Sequence, residues 1–413
     1  MSLDRITYGR QTIDEGDIAE VVKVLRSDFI TRGRVSEAFE EGLAASVGAS
    51  YAVVFNSGTS ALHGAYFAAG VEVGDEFITS PTTFVATANA GLYLGARPVF
   101  ADIEPDTGNI DLSGIAPLIT DKTRLIVPVA FAGHPVDNEG VFELAQRHGL
   151  TVVEDACHAL GARYKPRHCK EAGATCSGKE RIRSNDTPLN SVNAYRSVGC
   201  CLHAHMSVLS FHPVKAITTG EGGAVLTNDR ALYDRLRSFR QHGINRDMPK
   251  DNEPWLYEMH HLGYNYIMTD FQAALGRSQL GKLEGFIQKR RHIAETYSEA
   301  FHNNPYFYTP PERDYAQSAW HLYFIRLKDG YKEKKAQVID GLRDAGVGVA
   351  VHYVPVYQHP FYRAMGYDRG LCPIAEDFYQ REISLPIYPS LSESQVGDVI
   401  ERVYAVMAAG VAA

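Results

Sequence analysis

No stretch of this chain approaches the roughly 18 consecutive apolar residues that a helix needs to cross a bilayer, which excludes a helical membrane span. The opening MSLDRITYGR has no apolar core of the kind a secretory leader carries, so the cytoplasm is the expected location. Six cysteines among 413 residues are too few for a disulfide scaffold. Positive charge is also in short supply. The 41 Lys and Arg against 49 Asp and Glu give a formal net charge of −8, with no overall electrostatic reason to bind nucleic acid or an anionic membrane. The remainder is globular in composition, with 45% hydrophobic and 22% charged residues. Its length suits about two to three structural units and a sizeable core.

From Tyr51 to Leu150, short apolar runs alternate with helix-like stretches, the pattern of a mostly parallel sheet flanked by helices. Strands are expected at Tyr51–Phe55, Glu76–Ser80, Pro98–Ala101, Leu125–Val129, Thr151–Glu154, Met206–Ser210 and Ala224–Thr227. Helices are expected at Ser60–Ala69, Phe84–Leu94 and Asn138–His148, and Val35, Phe39, Leu43 and Val47 form an apolar stripe on another. After about Gly285 the texture changes to a long charged helix, Gln288–Phe301, and aromatic strands such as Trp320–Leu327. A large domain over 1–285 and a smaller α+β domain over 286–413 are therefore expected.

Three segments carry chemistry. Asn56-Ser57-Gly58-Thr59-Ser60-Ala61-Leu62 follows the first strand and opens a helix, so it is either a phosphate cradle or an ordinary N-cap. Glu154-Asp155-Ala156-Cys157-His158 places a carboxylate at the end of an apolar strand, where α/β sheets bind ligands, though an Asp there also caps helices. Ser210-Phe211-His212-Pro213-Val214-Lys215, followed by Gly220, Gly222 and Gly223, sets a lysine just past a buried strand among hydroxyls and glycines. Such a lysine is placed for a lowered pKa and carbonyl chemistry, whereas most lysines are simply solvated.

Together with Pro81-Thr82-Thr83-Phe84-Val85-Ala86-Thr87-Ala88-Asn89 and Gly263-Tyr264-Asn265-Tyr266, these segments resemble the fold type I pyridoxal 5'-phosphate (PLP) enzymes, and among them the nucleotide-sugar aminotransferases of the DegT/DnrJ/EryC1/StrS type. The resemblance runs from Tyr8 into the C-terminal region. It implies an α/β large domain with a seven-stranded, mostly parallel sheet, PLP as cofactor, and a homodimer with shared sites. Carried over position by position, it makes Lys215 the lysine that links to the cofactor aldehyde and Asp155 the partner of the ring nitrogen. It sets Phe84 on the ring face and His158 beside the ring oxygen. Gly58, Thr59, Ser60 and Ser210 would hold the phosphate, with Asn265 reaching it from a neighbouring subunit.

Segments of the second half, including Trp255-Leu256-Tyr257-Glu258-Met259, Val351-His352-Tyr353-Val354-Pro355 and Ile383-Ser384-Leu385-Pro386, resemble the branch that aminates a UDP-linked 4-keto-6-deoxy-N-acetylamino sugar on the way to pseudaminic acid. L-Glutamate is the donor this implies, and Tyr8, His321, His352 and Tyr353 are the candidate substrate contacts. Other nucleotide-sugar aminotransferases, a PLP-dependent sugar dehydratase and a non-catalytic PLP-binding regulator are the alternatives. Dehydratases of this family commonly carry histidine at the lysine position, so Lys215 argues against them.

Two features depart from the family pattern. A polar excursion over about 166–196 separates the Asp155 and Lys215 elements, and Ile267 stands where arginine is common after Asn265-Tyr266. His168, Cys169, Cys176, Cys200, Cys201, His203 and His205 invite a zinc reading, but their spacing matches no compact ligand pattern; no metal is expected, and the excursion reads as a mobile loop with free thiols.

Overall fold

A computed structural model describes residues 5–167, 195–245, 253 and 255–409. Helices α1 (Glu15–Leu25) and α2 (Arg34–Val47) precede strand β1 (Tyr51–Phe55) and helix α3 (Gly58–Ala68). Then come β2 (Glu76–Thr79), α4 (Ala86–Leu92), β3 (Arg97–Phe100), β4 (Thr123–Val127), α5 (Asn138–His148) and β5 (Thr151–Asp155). The short pair β6 (Arg163–Tyr164) and β7 (Arg196–Ser197) brackets the excursion, after which β8 (Met206–Ser210), β9 (Gly223–Thr227) and α6 (Arg230–Phe239) return to the sheet. Helices α7 (Asp270–Leu280) and α8 (Leu283–Ala300) lead into the C-terminal part.

The sheet has seven strands in the order β1-β9-β8-β5-β4-β2-β3. Only β9 runs against its neighbours, pairing antiparallel with both β1 and β8, so the sheet is mostly parallel as expected. Both faces are covered, and strand alternation assigns the side chains. Val53 and Phe55 pack with Ala61, Leu62, Ala65 and Tyr66 of α3 on one face. Ala52 and Val54 pack with Phe39, Leu43 and Val47 of α2 on the other. Each fully buried side chain of this size stabilises the fold by about 1.5–3 kcal/mol relative to exposure.

A second core joins Ile293 and Tyr297 of α8 to the strand Tyr323–Leu327, the strand Glu382–Leu385 and the helix Glu393–Ala409. Ile6 belongs to this core, its N–H bonding Gly346 O at 2.9 Å. The expected boundary at 285/286 falls inside α8, and the chain before α1 packs with the C-terminal part. Boundaries shift elsewhere for local reasons. β4 ends two residues before the expected strand because Pro128 offers no N–H to continue the ladder, and it starts two residues earlier, where Thr123 pairs with Glu76 of β2. The strand expected from Trp320 begins at Tyr323, after Trp320 adopts φ 47°.

Candidate active site

Three strand ends meet along one edge of the sheet. β1 leads through Asn56 into α3, β5 ends at Asp155 and β8 ends at Ser210. The register sets Phe55 and Ser210 on either side of Gly223, with Asp155 paired to Val208. This is the carboxyl edge of the parallel strands, where loops open towards a ligand.

At the start of α3, Ser57 Oγ accepts the Ser60 N–H at 3.1 Å and the Ser60 hydroxyl donates to Asn56 Oδ1 at 2.7 Å. Ser60 is buried, with its hydroxyl spent inside the helix start. The N–H groups of Gly58 and Thr59 make no hydrogen bond among the described residues, and the helix dipole adds partial positive charge there. Glycine is needed twice. A Cβ on Gly58 would lie 3.0 Å from Ser210 Cβ, and one on Gly223 would lie 2.5 Å from Ser57 O. The Ser210 hydroxyl is thereby brought against the first turn of α3, in the form of an anion cradle.

Asp155 is 4% exposed and has no ion-pair partner among the described residues. Its Oδ2 accepts from Thr87 Oγ1 at 2.7 Å and its Oδ1 from the Cys157 N–H at 3.1 Å. Thr83 Oγ1 stands 2.7 Å from Thr87 Oγ1. Reading single residues misses Thr83 and Thr87; their i, i+4 spacing within the 81–89 motif is the signal that finds them. A buried carboxylate without a cation of its own suits a protonated ring nitrogen.

Lys215 sits in the turn after β8, its N–H donating to His212 O at 2.9 Å. Burial lowers the pKa of its amine, while the neighbouring Cys157 and Asp155 act the other way. The opposed effects show that Lys215 and Asp155 share one electrostatic environment.

A group of rings lies near Lys215. His158 Nε2 lies 3.2 Å from the Tyr353 hydroxyl, and its ring centroid is 4.2 Å from that of His321. Tyr8 and His352 rings are 5.8 Å apart, and Phe84 and Tyr353 rings 6.4 Å. Phe84 is 58% exposed, an aromatic face without a cover. The Nδ1 atoms of His158 and His321 are buried with no hydrogen-bond partner among the described residues. Burial first, then the nearness of Lys215 and of a second imidazole that would compete for a proton, depresses the pKa values of His158 and His321 well below normal. Burial and Lys215 take His352 down to about 3.

These shifts have a signed consequence. The folded chain keeps the three imidazoles neutral where the unfolded chain protonates them, so their contribution to stability is complete above pH 6.5 and falls below it, while the raised pKa of Glu382, about 7, offsets a part of that loss. Each imidazole contributes a loss of up to about 2 kcal/mol at pH 5. Urea unfolding midpoints should drop clearly between pH 7 and pH 5, and equal midpoints would contradict neutral burial.

Arg290 of α8 is a further residue that sequence reading misses. Its Nη1 donates to the carbonyls of Ile387 at 2.9 Å, Trp320 at 3.2 Å and His321 at 3.3 Å, and its Nη2 to Val214 O at 3.4 Å. One fully buried guanidinium therefore ties the residue before Lys215 to His321 and the C-terminal core. Arg290→Met leaves these carbonyls unpaired and is expected to cost about 2–4 kcal/mol in urea unfolding.

Asn265 is exposed and makes no side-chain hydrogen bond to this group among the described residues. Its neighbour Tyr266 accepts the Asn56 N–H at 2.9 Å, placing the segment beside the start of α3. Ile267 is half-buried. Residues 168–194, with His168, Cys169 and Cys176, lie outside the described residues. Of the remainder, His203 Nδ1 meets the Tyr164 hydroxyl at 3.0 Å, His205 Nδ1 accepts the Val152 N–H at 3.0 Å, and the Cys201 thiol donates to Leu226 O at 3.3 Å.

A family model for the DegT/DnrJ/EryC1/StrS aminotransferase family matches residues 11–404. The chain belongs to this family. Among its relatives, the spore coat polysaccharide biosynthesis protein SpsC of Bacillus subtilis is 37% identical over 96% of each chain. A UDP-4-amino-4,6-dideoxy-N-acetyl-β-L-altrosamine transaminase of Campylobacter jejuni is 36% identical over 97% of each. Helicobacter pylori PseC, an aminotransferase involved in the biosynthesis of pseudaminic acid, superposes with TM-score 0.86 at 36% identity, covering 98% of this chain and 100% of PseC. Spr1654 of Streptococcus pneumoniae, solved in its PLP form, superposes with TM-score 0.85 at 28% identity, covering 98% of this chain and 99% of that one. The expected fold type I architecture is thus the fold of this aminotransferase family.

Proposed function

We propose that the chain uses PLP to move the amino group of L-glutamate to C4 of a UDP-linked 4-keto-6-deoxy-N-acetylamino sugar, the altrosamine-forming transamination of pseudaminic acid biosynthesis. The observation that carries the reading is the juxtaposition of a lysine of lowered pKa with a buried, unpaired carboxylate beside an anion cradle. The full-length similarity to transaminases of that name supports the sugar.

The residues fit PLP. Gly58 and Thr59 N–H groups with the Thr59 and Ser210 hydroxyls would hold its phosphate, Asp155 its ring nitrogen and Phe84 its ring face, with Ser60 keeping the helix start in shape. His158, whose Nδ1 is orphaned, would stand on its oxygen side. PLP, when bound, supplies an aldehyde that links to amines and a ring that takes up electrons. The chain does the rest. Thr87 and the Cys157 N–H keep Asp155 in place as an anion. Lys215, its amine more readily neutral than an exposed lysine's, takes the proton from the amine-bearing carbon of the donor and delivers one to the sugar carbon in the second half of the cycle. Tyr8, His321, His352 and Tyr353 line the side from which the sugar would enter.

The assay is turnover of the UDP-linked 4-keto sugar with glutamate, set beside a 3-keto nucleotide sugar. Turnover of the 4-keto sugar alone is the expected result, and turnover confined to the 3-keto sugar rejects the assignment. A 3-amino product, formed from the 3-keto sugar, would assign the chain to another nucleotide-sugar aminotransferase activity.

The enzyme acts as a cytoplasmic homodimer in this reading, and no described helix is long and apolar enough to cross a membrane. Support for the dimer comes from Phe29, Trp255, Met259 and Leu262, all more than 60% exposed despite their apolar surface. Asn265 lies near this surface in sequence and would serve the partner's phosphate. Leu262→Glu should convert dimer to monomer in light scattering and remove most activity; an unchanged dimer would contradict this use of the surface.

A further inference from the structure

The imidazole of His352 is held from behind by two residues that neither the sequence nor the proposed mechanism singles out for a role. A backbone bridge between Ala350 and Ser384 lays the segment before His352 along the strand Glu382–Leu385. His352 Nδ1 lies 2.8 Å from Ser384 Oγ, and the Ser384 hydroxyl donates to Glu382 Oε1 at 2.5 Å. Glu382 Oε2 accepts the backbone N–H of His352 at 2.8 Å. Both Glu382 and Ser384 are fully buried, so no solvent competes for these bonds.

A hydroxyl has one hydrogen. Burial raises the Glu382 carboxyl to about 7, and above that pH the hydrogen of Ser384 is committed to the carboxylate; the hydroxyl oxygen can then only accept from the imidazole, which puts the ring proton on Nδ1. The ring itself stays neutral, because burial and the charge of Lys215 hold its pKa down to about 3. Nε2 then carries a lone pair, and it makes no hydrogen bond among the described residues.

We propose that Glu382 and Ser384 fix His352 in the Nδ1–H tautomer, so that Nε2 accepts a hydrogen bond from a hydroxyl or amide N–H of the sugar acceptor. Glu382 and Ser384 are positioning residues, and His352 is the specificity-determining contact. A neutral acceptor atom repels a carboxylate, so the two carboxylates of the amino donor must be held elsewhere. This deepens the proposed function and rests on it for the identity of the ligand, but not for the tautomer.

The test is nitrogen NMR of the PLP-loaded enzyme labelled with 15N-histidine, at pH 9 where the carboxylate is ionised, with His352 identified by its loss in His352→Gln. The expected spectrum shows a pyrrole-type Nδ1 and a pyridine-type Nε2. In Ser384→Ala the ring should shift towards the Nε2–H form, and the KM for the sugar should rise about tenfold, more than the KM for glutamate. A native ring protonated at Nε2, or a Ser384→Ala ring with the native tautomer, overturns the inference. Because the tautomer is read without turnover, failure of the sugar assignment and failure of this inference are separate results.

Discussion

Lys215→Ala is expected to lower amino transfer by at least about a thousandfold while the chain stays folded, because a nucleophile and a proton carrier are removed together. The Lys215 side chain makes no hydrogen bond among the described residues; the turn is kept by its main-chain N–H to His212 O, and the preceding Val214 by Arg290. Far-ultraviolet dichroism and the urea midpoint should therefore match the native protein. Both half-reactions should fail, since the same amine serves the donor and the acceptor. A variant that still converts glutamate to its keto acid at a substantial rate would remove Lys215 from the chemistry, whatever the fold.

Asp155→Asn is expected to slow the reaction by about a hundred to a thousandfold, the range found when a preorganised electrostatic partner is lost. The amide fills the same space, with its oxygen accepting from the Cys157 N–H and its NH2 donating to the Thr87 hydroxyl oxygen, so the change tests charge rather than packing. Asp155→Ala is the harsher version. It leaves the Thr87 hydroxyl and the Cys157 N–H without their partner and should add about 1–3 kcal/mol of instability. If Asp155→Asn turned over at the native rate, the carboxylate would be a structural cap of the kind its position also permits.

Much of this site is legible in the sequence because each element is a local signal. Glycines beside a strand end, an acid at the end of an apolar run and a lysine past another apolar run are all visible within a few residues. The sheet order is not local, yet alternating strands and helices imply a mostly parallel sheet, and β9 is the one reversal. What stays hidden is contact across long separations. Arg290 reads as one more charge on a charged helix until four carbonyls from Val214, Trp320, His321 and Ile387 converge on it. Glu382 carries no signal in the sequence, but it begins a buried strand and its carboxylate accepts the His352 N–H. Ser60 shows the opposite limit. Its position in the motif is clear, whereas its engagement with Asn56 depends on how the turn closes.

The most direct measurement is borohydride reduction of the PLP-loaded chain followed by peptide mapping. The account predicts one phosphopyridoxyl label, on the peptide containing Lys215. A label on another lysine, or none after reduction, would contradict it.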